Sequence, residues 1–158
     1  MGQFNKLLDA TYHPPRKWVL NSSLSYDCDE LTEEEIEVLK SVGVKVTKKG
    51  KVTVPKGFVT DMASVPRACW MFIAPFDVAR AAVVHDIMYE KINGAFKKGI
   101  IESKKEREIY RRIADNMFLE GMESAEPPVS KWKIKSAYWA VRMFGRWAIN
   151  SSAPRKGI

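Results

Sequence analysis

Apolar and polar positions change their period along the chain, and each change predicts an element. KWVLNSSLSY, residues 17–26, is rich in short-spaced apolar and hydroxyl residues and predicts strand. LTEEEIEVLKSVG, residues 31–43, shifts to helical spacing. Thr32 is placed as its N-cap, Glu35 closes a capping box and Gly43 follows its end. VKVTKKGKVTV then alternates Val44, Val46, Val52 and Val54 around a Lys-Gly turn, a hairpin pattern, and Phe58, Val59 and Thr60 extend a further strand. Beyond residue 62 the pattern is mostly helical. In TDMASVPRACWMFIAP, residues 60–75, Ser64 is placed to cap a short helix that Pro66 opens and Pro75 stops.

The next segment, ARAAVVHDIMYEKI, places His-Asp inside an apolar helix that starts near Asp77. Val78, Ala82, His85 and Tyr89 fall on one stripe, while Asp86 projects about a quarter-turn away. The two neighbours therefore face different partners. If His85 is a general base, a carboxylate from elsewhere must orient its other ring nitrogen. A second long helix opens at Ser103 and Glu106, again a capping box, with a core face of Ile109, Ile113 and Met117 beside Tyr110 and Ala114. Asp115 lies off that stripe among Phe118, Leu119 and Met122. An unpaired buried charge costs several kcal/mol, so such a carboxylate needs a partner, and a histidine on an antiparallel neighbour supplies one.

After the linker-like SAEPPVS, residues 124–130, the segment KWKIKSAYWAVRMFGRWAI, residues 131–149, forms a helix with Lys135, Arg142 and Arg146 in a narrow stripe and an otherwise broadly apolar circumference. It suits burial on two sides. It also suits an interface, to a membrane surface or to another protein, built from Trp132, Trp139, Arg142, Arg146 and Trp147. The last residues, SSAPRKGI, are expected to fray.

Composition then bounds the reading. The 158 residues match one domain: a mixed part over 1–62, motif-bearing helices over 63–123 and the aromatic helix. The fold class expected is α+β, a small N-terminal antiparallel sheet followed by a packed antiparallel helix pair. Twenty-six Lys and Arg against nineteen Asp and Glu give +7, which favours acidic partners. No nucleic-acid motif accompanies the charge, and the KKERE stretch from residue 104 reads as a solvated helix face. Cys28 and Cys69 are too few and too far apart for a disulfide framework or zinc site, consistent with synthesis in a reducing cytoplasm. No apolar run approaches the ~20 residues of a membrane span, and the first residues lack a signal-peptide layout.

GFVTDMASVPR followed by ARAAVVHDIMYE resembles the phage-associated family called domain of unknown function 1353. Its pattern V-P-x-G-F-x-T-D-x-A-S-V-P-R, a tryptophan, then A-x-x-x-H-D-x-x-Y is met by Val54 to Arg67, Trp70 and Ala81 to Tyr89. The resemblance covers about a third of the chain and implies a phage or prophage origin. A second resemblance is to secreted bacterial and parvoviral phospholipase A2 domains, which also carry H-D-x-x-Y on a helix followed by a carboxylate on the next. By that resemblance His85 is the base that activates water, Asp115 orients it, Asp86 binds calcium and Tyr89 supports the helix. Asp61 is a further candidate metal ligand or else closes a turn ahead of the Ser64 cap, with Thr60, Ser64 and Arg67 as candidate supporting residues. The chain departs from those enzymes in having no glycine between Asp61 and His85, so DMASVP would replace their glycine-rich calcium loop, and in lacking their disulfides.

Three functions follow as expectations. The first is a phage-encoded calcium-dependent ester hydrolase acting in host penetration or lysis. The second is a non-catalytic virion or tail-associated protein, made in the host cytoplasm and packaged with other virion proteins, whose motifs act as structural locks. The third is a basic host-takeover protein.

Overall fold

The computed structural model describes residues 2–61, 78–126 and 128–151, with the side chains of the last helix described as far as Met143. Strands β1 (Gln3–Phe4), β2 (Ala10–His13), β3 (Lys17–Leu20) and β4 (Leu24–Asp27) precede helix α1 (Glu33–Ser41). Strands β5 (Lys51–Val54) and β6 (Val59–Thr60) follow, then helices α2 (Ala79–Lys97), α3 (Lys104–Glu123) and α4 (Lys131–Ser151). The architecture is α+β. Two antiparallel three-stranded sheets, ordered β1-β4-β5 and β2-β3-β6, occupy the N-terminal part, and α2 packs along α3 in the helical part.

The segment 17–26 is two strands, not one, and they belong to different sheets. Asn21 closes the end of the β2–β3 pairing. Its N–H donates to the Asp9 carbonyl at 2.9 Å, next in register after Ala10 opposite Leu20, and its side-chain amide donates to Asp9 Oδ1 at 2.8 Å, so the chain stays with β2 through Asn21 and enters the other sheet only at Leu24. The hairpin over 44–54 is also reduced. Its first arm contributes a single bridge between Val46 and Val52, while β5 runs in full register against β4, from Leu24 opposite Val54 to Asp27 opposite Lys51. That register sends Leu24, Tyr26, Val52 and Val54 to one buried face.

Helix α1 has the expected cap: Thr32 Oγ1 accepts from Glu35 N–H at 3.2 Å and Glu35 Oε2 accepts from Thr32 N–H at 3.0 Å. At α3 only half of the expected box forms. Ser103 Oγ accepts from Glu106 N–H at 3.0 Å, but Glu106 Oε2 accepts from Glu102 N–H, one residue earlier than the box requires.

Helix α2 is buried around most of its first half, because its inner face meets β4 and β5 and its flank meets α3. Small residues allow the close approach: a Cβ built on Gly121 would lie 3.1 Å from the Ala81 Cβ. One continuous core joins Leu20, Tyr26 and Val52 to Val83 and Met88 and onward to Phe118 and Met122. Ile109, expected in that core, is 55% exposed. The buried arc of α3 is centred instead on Tyr110, Ile113, Ala114, Met117 and Phe118 and includes Asp115, because α3 is packed by α2 and α4 together and the carboxylate occupies the groove between them.

Candidate functional site

The site is assembled from three helices and centres on His85 of α2, Asp115 of α3 and Arg142 of α4. His85 Nε2 donates to Asp115 Oδ1 at 2.8 Å, and the Tyr89 hydroxyl, one turn along α2, donates to the same oxygen at 2.5 Å. Arg142 Nη1 donates to Asp115 Oδ2 at 2.8 Å. The second fork of Arg142 pairs with Glu108 Oε1 at 2.8 Å, Glu108 Oε2 pairs with Arg111 Nη1 at 2.7 Å, and Arg111 Nε donates to the Tyr89 hydroxyl at 3.4 Å. The bonds close into a ring: Asp115, Arg142, Glu108, Arg111, Tyr89 and back to Asp115. Two carboxylates and two guanidiniums cancel within it, so a buried ionic cluster that would be costly unpaired is balanced.

The imidazole is held on two more sides, by the Tyr89 ring at 4.0 Å between centroids and the Phe118 ring at 5.0 Å. His85 is 1% exposed and Asp115 0%. Burial by itself would raise the Asp115 carboxyl, but the hydrogen bonds from His85, Arg142 and Tyr89 outweigh it and hold the group below its ordinary value. Arg142 shows the converse. Partial burial would lower it, and Asp115 and Glu108 raise it. Tyr89 is pushed up by burial and then by the adjacent Asp115 charge, so its hydroxyl keeps its proton and serves as a donor.

One consequence bears on chemistry. With Nε2 committed to a carboxylate, the other ring nitrogen, Nδ1, is buried and has no hydrogen-bond partner among the described residues, and the same holds for Arg111 Nη2. A buried N–H without an acceptor costs about 1–3 kcal/mol, so hydrogen bonding selects the Nε2–H tautomer and leaves Nδ1 as a lone pair.

Asp86 faces away from this ring. It is 4% exposed, and Thr60 Oγ1 of β6 donates to its Oδ2. Asp61, half-buried, directly follows Thr60, so the β6 end brings the second expected metal ligand beside the partner of the first. Among the described residues no group of three or more His, Cys, Asp or Glu side chains could hold a metal ion. The oxygens of Asp86 and Asp61 match calcium in kind, being hard donors, and fall short of its six to eight ligands in number. Ser64 and Arg67 lie outside the described residues, as do the side chains of Arg146 and Trp147.

Trp132 and Trp139 are exposed on α4, whereas Arg142, grouped with them by sequence, turns inward to Asp115. From the sequence, Arg142 is expected at an interface, and no functional role is assigned to Glu108 or Arg111. The signal was present: Arg142 stands four residues after Tyr138 and eight after Ile134, both on the packed side of α4, and Glu108 with Arg111 has the i, i+3 spacing of a helix ion pair.

A second buried polar cluster uses different residues. The Cys28 thiol donates to Glu120 Oε2 at 2.7 Å and Asp29 N–H donates to Glu120 Oε1 at 3.3 Å. Burial, then the bond to Glu120, pushes the thiol up to about 12, which makes Cys28 a packed side chain rather than a nucleophile.

The fold and this arrangement define an α+β protein with a buried imidazole–carboxylate pair on adjacent helices. The family model described as protein of unknown function (DUF1353) matches residues 36–141, about two-thirds of the chain, and the chain belongs to that family. No curated protein and no solved structure matches it.

Proposed function

We propose that the chain is a phage-encoded hydrolase that uses His85 as general base on an ester, with lipid as the substrate class. The observation that carries the reading is the division of the imidazole: Nε2 is fixed by Asp115, whose carboxyl is held below its ordinary value, and Nδ1 is buried with no hydrogen-bond partner among the described residues. That gives the imidazole the orientation a general base needs on one side and an uncommitted acceptor on the other. Nδ1 takes a proton from water as the water oxygen bonds to the ester carbonyl carbon. Asp115 stabilises the imidazolium so formed. The proton then passes to the leaving alkoxide oxygen as the ester C–O bond breaks, giving acid and alcohol. Asp86 and Asp61 would supply only part of the oxygen shell of a calcium ion, which when bound would act as a Lewis acid for the ester carbonyl.

Burial of His85, Asp115 and Asp86 favours a second reading, in which the same groups are structural locks of a virion or tail-associated protein that meets other virion proteins. His85→Gln separates the two, because a glutamine amide can still donate to Asp115 but cannot accept a proton. The hydrolytic reading expects calcium-stimulated fatty-acid release from phospholipid vesicles by the native chain and loss of at least about a hundredfold in His85→Gln, the scale of a general base. An inactive native chain, or equal activity in the variant, overturns it.

A further inference from the structure

Helix α4 has two faces with opposite commitments. Ile134, Ala137, Ala140 and Val141 are buried against the rest of the molecule, and Arg142 enters the ion ring. The outward stripe, by contrast, carries Trp132, Trp139 and Met143, at 56%, 61% and 65% exposure. At 1.5 Å per residue these three span about 16 Å along the helix. Lys131 and Lys135 are exposed on the same turns, and Lys133 lies half-buried with its ammonium 5.9 Å from the Trp132 ring.

We infer that this face docks on an anionic phospholipid bilayer. Two considerations select lipid over a protein partner. Lysine is depleted from protein–protein interfaces, whereas lysine and tryptophan together are suited to a headgroup layer, where the indole lies at the apolar boundary and the ammonium stays with phosphate. The net charge of +7 complements an anionic surface. No helix among the described residues is long and apolar enough to cross a membrane, so contact through this stripe is peripheral, with the helix lying in the plane of the surface. The inference deepens the hydrolytic reading, on which it rests for the link to an ester, by naming a bilayer as the source of substrate. It also connects surface to site. The helix that meets lipid on one side fixes Asp115 on the other.

The test uses vesicles of ether-linked phosphatidylglycerol and phosphatidylcholine, which lack the carboxylic esters of the proposed substrate, so binding is read whether or not the chain is an enzyme. Co-flotation of the native chain is expected with the anionic vesicles and not with phosphatidylcholine alone. Trp139→Ser with Met143→Ser is expected to weaken binding about tenfold or more, with helical circular dichroism retained because both side chains are exposed. Lys131→Gln with Lys135→Gln is expected to weaken it and to reduce its salt dependence. Failure of the native chain to float, or native-like binding by either variant, overturns the inference. So does a native chain that self-associates through this face, seen as loss of a dimer in the tryptophan variant without any vesicle binding. Should the tryptophan variant lose its helical signal, the lysine variant alone decides.

Discussion

Replacing Asp115 by Asn keeps the shape of the side chain and removes the charge on which three helices converge. Asn Oδ1 can still accept from His85 Nε2 and the Tyr89 hydroxyl, but both bonds fall from charge-assisted to neutral, a loss of about 0.5–1 kcal/mol each. At the other position an Asn N–H would face Arg142 Nη1, donor against donor, in place of a 2.8 Å ion pair. A hydrogen bond to a charged group contributes about 1.5–3 kcal/mol, and Arg142 keeps only its Glu108 partner. The sum is about 2.5–5 kcal/mol, overlapping the about 3–5 kcal/mol expected when one member of a buried pair is removed. Urea unfolding at pH 7, followed by circular dichroism, measures it. The pH dependence adds a sign. Because the Asp115 carboxyl is held below its unfolded value of about 3.9, its contribution is fully present above that pH and is lost as the pH falls through the folded value. The gap between native chain and variant is therefore widest from neutral to mildly acid pH and narrows below about 4. A gap under about 1 kcal/mol at pH 7, or one that widens on acidification, would refute the role assigned to the carboxylate.

Three further outcomes test the packing that positions the site. In a Cys69→Ser background Cys28 is expected to react with a maleimide at pH 8 at least about a hundredfold more slowly when folded than in urea, since its thiol is buried and bonded to Glu120; equal rates would show that this cluster is open. Gly121→Val places a branched side chain where even a Cβ stands 3.1 Å from Ala81 and is expected to destabilise by about 1–3 kcal/mol or more, a neutral result in urea unfolding being incompatible with the close α2–α3 contact. Thr32→Ala removes the acceptor of the α1 cap and is expected to cost about 1 kcal/mol by the same measurement, with no change in any hydrolytic activity.

The helices were legible because their signals are local. Thr32 with Glu35 and the spacing of Val78, Ala82, His85 and Tyr89 need no knowledge of the rest of the chain, and the quarter-turn between His85 and Asp86 follows from helix geometry alone. What failed were statements that depend on distant partners. Residues 17–26 divide between two sheets because β3 pairs with β2 and β6 while β4 pairs with β1 and β5, and β5 runs mainly along β4 with one bridge to Val46; no local pattern encodes these partners. Ile109 satisfied the apolar spacing of α3, yet the helix is rotated so that Asp115 enters the groove between α2 and α4. Arg142 was the hardest to place. On a helix wheel it joined Lys135 in a basic stripe, and only the carboxylates of α3 draw it inward.

The ring of ion pairs has a consequence for synthesis. It is completed by α4, which is made after α2 and α3, so until that helix emerges Asp115 has only His85 and Tyr89, and Glu108 only Arg111, as partners within the ring. Final consolidation of the helical half awaits a guanidinium encoded more than twenty codons downstream of both.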